Sequence, residues 1–95
     1  MARLFNESEI AEIEKALPNM KIYEICTVIR MSWANVYFGA KPYISAMASI
    51  QDINERFIAE DGRTQVAYFL ANATQWKGPV ARIVKKELNK RLKAK

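Results

Sequence analysis

Apolar residues recur along this chain three and four positions apart, with no sustained alternation of period two, and that spacing predicts helices. The first is the best marked. Asn6 can cap it, Glu9 stands at the third helical position to close a capping box, and Phe5 with Ile10 has the spacing of a hydrophobic staple. Ile10, Ile13 and Leu17 form its apolar stripe, and Pro18 ends it. Asn19 can cap a second helix whose apolar positions, Ile22, Ile25, Cys26, Ile29, Trp33, Val36 and Tyr37, keep the same spacing up to a stop at Gly39. Isoleucine, threonine and valine crowd residues 25 to 29, so a short strand fits that stretch as well.

Pro42 suits the first turn of a third helix, with Tyr43, Ala46, Met47, Ile50, Ile53 and Phe57 as its inner stripe and Ser45, Ser49, Asp52 and Arg56 toward water. Glu60-Asp61-Gly62 breaks it. A fourth helix is expected from about Thr64 to Gln75, with Val66, Phe69, Leu70 and Ala73 inward. Lys77-Gly78-Pro79 then reads as a stop followed at once by a start. The last helix, Pro79 to about Lys93, separates cleanly at 100° per residue. Val80, Ile83, Val84, Leu88 and Leu92 share one side; Arg82, Lys85, Lys86, Asn89 and Lys93 share the other. Glu87 and Arg91 fall on the apolar side four residues apart, in the order that favours pairing. The expected fold is all-α: one domain over residues 1–95, a compact bundle of four to five short helices with a basic amphipathic C-terminal helix.

Composition agrees with one packed core. At 95 residues, 51% of them apolar, the chain has enough material for one core and not for two. Its single cysteine cannot form an internal disulfide. No stretch nears the ~18 uninterrupted apolar residues of a membrane span, and the N-terminus turns acidic at Glu7 before any hydrophobic signal region. Together these predict an intracellular protein with no membrane partner. The net charge of +5 hides an asymmetry: residues 77 to 95 hold eight Lys/Arg against one glutamate, leaving the preceding 76 residues at −2.

The chain has no histidine, which removes the commonest general base at neutral pH and the commonest metal ligand. Cys26 falls on the apolar stripe of the second helix, the place of a core thiol rather than a nucleophile. Glu7, Glu9, Glu12 and Glu14 resemble a carboxylate cluster, but in a capped first helix acidic residues satisfy the dipole and solvate the outer face. The three glycines are isolated and have no phosphate-loop spacing. No catalytic residue, metal site or cofactor is expected, and the chain does not read as an enzyme.

Two surfaces remain. The stretch Trp33 to Tyr43 is the densest in aromatic residues, and since adjacent helical residues cannot both point inward, Tyr37 or Phe38 should be exposed. Trp33, Tyr37, Phe38 and Tyr43 are the candidate protein-interaction patch, with core packing the competing use of the same rings. On the last helix Arg82, Lys85, Lys86 and Lys93 could meet nucleic-acid phosphates or an acidic partner, although the helix dipole alone also favours cations there. Residues 64 to 93 follow the order helix, short turn, basic helix, a loose helix-turn-helix.

Two segments, Val36 to Met47 and Tyr68 to Arg82, together under a third of the chain, resemble a family of small proteins encoded in bacteriophages and prophages. The resemblance implies a phage accessory protein in the cytoplasm of a bacterial host, acting by association with a host or phage macromolecule and able to inhibit it. A protein partner is the leading expectation; nucleic acid bound by the last helix is the alternative. Self-association is open, because a charge-segregated helical protein can pair head to tail.

Overall fold

A computed structural model describes residues 5–57 and 60–94, with backbone alone at residues 56, 57 and 60. Among the described residues the architecture is an all-α bundle of five α-helices: α1 (Glu7–Ala16), α2 (Ile22–Ser32), α3 (Lys41–Met47), α4 (Gly62–Ala71) and α5 (Pro79–Lys93). Between α3 and α4 the backbone makes a two-residue antiparallel ladder, β1 (Arg56–Phe57) with β2 (Glu60–Asp61).

The start of α1 follows the sequence closely. The Asn6 side chain accepts from Glu9 N at 2.8 Å, and Glu9 Oε1 accepts from Asn6 N at 3.1 Å, which completes the capping box. After Ala16 a single 3-10 turn over Leu17–Asn19 carries the chain into α2. Asn19 stays in that turn and does not cap α2. Lys21 occupies the N-cap, and Glu24 reaches back to its N–H at 2.8 Å.

Residues 25 to 29 are helical, not a strand. The helix-propensity penalty of β-branched residues is a few tenths of a kcal/mol each, whereas burying an isoleucine contributes about 1.5–3 kcal/mol. Ile22, Ile25, Cys26 and Ile29 lie on one helical face and are all sealed from water. Burial therefore outweighs propensity.

Two helices are shorter than their apolar periodicity predicts. α2 stops at Ser32 rather than near Tyr37, because Trp33 turns extended (φ −102°, ψ 101°) and swings its indole into the core. Phe38–Ala40 then forms a 3-10 turn that leads directly into α3. α3 ends at Met47, so the expected helix through Phe57 is a correction: residues 48 to 55 form a loop held by side chain to backbone bonds. Ser49 Oγ donates to Ala46 O at 2.8 Å, Glu55 Oε2 accepts from the N–H groups of Gln51 and Asp52, and Asp52 Oδ1 accepts from Asn54 N. Polar residues that offer the backbone such local partners compete with the helix ladder. Ile50 and Ile53 still bury their side chains from the loop; the side chains of Arg56 and Phe57, assigned to the same helix by periodicity, lie outside those described.

The loop also satisfies the first N–H groups of α2, since Ile22 N donates to Gln51 O and Tyr23 N to Ile50 O. α4 begins where Asp61 Oδ1 accepts from both the N–H and the hydroxyl of Thr64 at 3.0 Å. It ends at Ala71, earlier than the expected Gln75. Gly78 supplies the left-handed backbone (φ +110°) that lets Pro79 open α5.

α5 is the central element, packing against α1, α2 and α4, while α3 packs most extensively on α4. Val80, Ala81, Val84 and Leu88 are its buried side. Glu87 is also buried, and its carboxylate meets Arg91 Nε at 2.7 Å. The same guanidinium donates to Leu17 O at 2.7 Å, so the pair ties α5 to the turn after α1. A second clamp comes from Arg63, which donates to Leu92 O and Ala94 O and closes the end of α5. The radius of gyration, 12.4 Å, is that of a folded chain of this length.

Candidate interaction surface

The aromatic residues divide into a buried cluster and an exposed patch. Trp33 belongs to the first, which corrects its place in the expected patch. Its ring stacks on Trp76 (centroids 5.7 Å apart, planes at 11°), and Phe69 meets both rings edge-on at 6.3 and 6.4 Å. Trp76, which the sequence places in a turn between helices, is 3% exposed. The cluster joins the end of α2, the last turn of α4 and the approach to α5.

Tyr37 and Phe38 are on the surface, Phe38 with 75% of its area exposed. The two rings lean on each other at 5.0 Å. The backbone that carries them packs against the rest of the fold. Tyr37 folds over Gly39 so tightly that a Cβ there would lie 2.6 Å from the Tyr37 ring and 3.0 Å from Asn72 Oδ1, and Ala40 next to it is fully buried. Asn72 ends α4 and donates to Tyr68 O one turn earlier at 2.8 Å. Tyr68, 48% exposed, packs against half-buried Tyr43 of α3 at 5.4 Å. Tyr37, Phe38, Tyr43 and Tyr68 thus occupy the same end of the α3–α4 pair. Sequence reading missed Tyr68, although its place beside inward-facing Phe69 on a helix already required it to face out.

On α5 the basic row is real, with one exchange of membership. Arg82, Lys86 and Lys93 are exposed as expected. Lys85 instead turns back, donating from Nζ to Trp76 O at 2.6 Å with the ammonium 6.0 Å from the Trp76 ring centroid. Desolvation draws its pKa below the ordinary lysine value, and repulsion from Lys77 adds to the effect. Lys90, one turn beyond Lys86, is exposed and completes the row Arg82, Lys86, Lys90, Lys93. Its i, i+4 spacing made it legible in the sequence. At the start of α5, where a recognition helix would read bases, Val80 and Ala81 are buried.

Cys26 is sealed in the core, its Sγ 3.7 Å from Ile44 O, and burial pushes its pKa up to about 12 against a smaller opposing pull from Arg30. A thiol so placed is neither nucleophilic nor accessible. A surface hollow of about 380 Å³ runs between Pro18 and Ala94, but the two arginines that line it, Arg63 and Arg91, are committed to backbone carbonyls. Among the described residues no group of His, Cys, Asp or Glu could hold a metal ion, and no helix is long and apolar enough to cross a membrane.

Set against known proteins, the chain matches no protein family, no curated sequence and no solved structure.

Proposed function

We propose that this chain is a small binding module of the phage accessory type, acting in the bacterial cytoplasm by stoichiometric association with a protein partner that it inhibits by covering it. The observation that carries this reading is Phe38: a phenylalanine with 75% of its surface in water, on a short 3-10 turn beside Tyr37 and next to the Tyr43–Tyr68 pair. Rigid aromatic anchors lose little side-chain freedom on binding and recur at the energetic centres of protein interfaces. Replacing Phe38 by Ser removes no core contact, so the helical circular dichroism should stay unchanged while a partner captured from phage-infected cells is lost. Equal capture by wild type and Phe38→Ser rejects the reading.

The row Arg82, Lys86, Lys90 and Lys93 favours a second reading, contact with nucleic-acid phosphates. Such binding would weaken steeply with added salt, and Lys86→Glu with Lys90→Glu would remove it. A flat mobility-shift titration at low salt rejects it.

A further inference from the structure

Between the last turn of α2 and the start of α3 lies a hollow of about 260 Å³ lined by Arg30, Val36, Lys41, Ile44 and Ser45. Its floor is apolar: Ile44 is buried and Val36 half-buried. Its rim is cationic, with Arg30 on α2 and Lys41 on α3 both exposed. Neither cation has a hydrogen bond or ion pair among the described residues, unlike Arg63, Arg91 and Lys85, which are all engaged with backbone carbonyls. No carboxylate lines the hollow. The segment connecting its two walls is the one that carries Tyr37 and Phe38.

We propose that this hollow is the specificity subsite of the aromatic patch, taking an apolar side chain of a partner segment whose flanking carboxylates pair with Arg30 and Lys41. The inference rests on the reading of the aromatic surface as a protein-binding site and names the chemistry of the occupant. Charge argues for an acidic segment, since every polar group on the rim can donate and both cations are unneutralised. The apolar floor argues against a phosphodiester backbone, which has nothing to bury there. A partner segment with one leucine or phenylalanine between glutamates would bury the apolar group on Ile44 and leave its carboxylates at the wetter rim.

The test is fluorescence anisotropy of a fluorescein-labelled peptide of glutamate and leucine, with the lysine–leucine peptide as control. Wild type should bind the acidic peptide and not the basic one. Arg30→Glu combined with Lys41→Glu should weaken binding by about tenfold or more, while Lys86→Glu combined with Lys90→Glu should leave it within about twofold. All four side chains are exposed, so both variants should keep the wild-type helical circular dichroism. Absence of binding to wild type, or equal loss in the two variants, overturns the proposal, the second outcome marking a nonspecific response to net charge. A concentration-dependent dimer abolished by the Arg30→Glu, Lys41→Glu variant would overturn it too, placing a second copy of the chain in the hollow. If the acidic peptide fails while Phe38-dependent capture persists, only the subsite is wrong; if Phe38-dependent capture fails, the broader reading falls.

Discussion

Cys26 shows how one side chain can be chemically silenced by its position. The thiol faces Ile44 O inside the core, and its pKa of about 12 means the folded state holds the proton that the unfolded chain releases several units lower. A folded pKa raised above the unfolded one contributes stability that is complete below about pH 8.5 and is lost as pH climbs toward 12. Stability should therefore fall more steeply between pH 9 and 11 in wild type than in Cys26→Ala, by up to about 1.4 kcal/mol per pH unit, read as the difference between denaturation midpoints. At pH 8 iodoacetamide should leave native Cys26 unmodified and alkylate it on unfolding; rapid modification of the native protein would contradict this burial. Gly62 is constrained from the opposite direction. A Cβ there would lie 2.6 Å from Ile53 O and 2.7 Å from Ile50 Cδ1, so Gly62→Ala should force the 48–55 loop off the start of α4. The expected loss is about 1–3 kcal/mol by urea denaturation.

At the scale of elements, the pair Glu87–Arg91 decides how α1 and α5 meet. Arg91→Leu would strand a buried carboxylate and remove the donor to Leu17 O, at an expected loss of about 3–5 kcal/mol. Adding Glu87→Leu to that variant should recover most of it, because the desolvated charge is then gone. If the double variant is no more stable than the single, the chief role of the pair is its bond to Leu17. This pair was legible from spacing alone, as were the α1 capping box, the limits of α5 and the outward direction of Arg82, Lys86 and Lys93. The lengths of α2 and α3 were not. Apolar periodicity continues through Trp33 and Val36 and through Ile50 and Ile53, yet those residues pack on the core from extended or looped backbone, so the period counts burial without fixing the backbone that delivers it. Lys85 was misplaced for a related reason: a helical wheel gives the direction of a Cβ, while the free carbonyl of Trp76 recaptures the end of a long side chain.

For the whole molecule, the cluster of Trp33, Phe69 and Trp76 is the junction that makes one core from five short helices. It draws on α2, α4 and the segment leading into α5, and α5 in turn contacts α1. Truncating Trp76 to Ala should cost about 3–5 kcal/mol and should shift the urea midpoint of the helical signal in a single transition. A residual helical plateau would mean that α1 to α4 hold together without this junction. The exposed rings and the basic row lie outside the junction, which is why variants at Phe38, Lys86 and Lys90 can test binding with folding left intact.

The near-parallel stack has an optical consequence. Both tryptophans of the chain are in it, so their transition dipoles should couple and give paired ultraviolet dichroic bands of opposite sign. Any event that lifts the lead-in of α5 away from Trp33, whether local opening or an effect of a bound partner, would erase that couplet while the helices remain wound, giving this unlabelled protein an internal gauge of whether its last segment is docked.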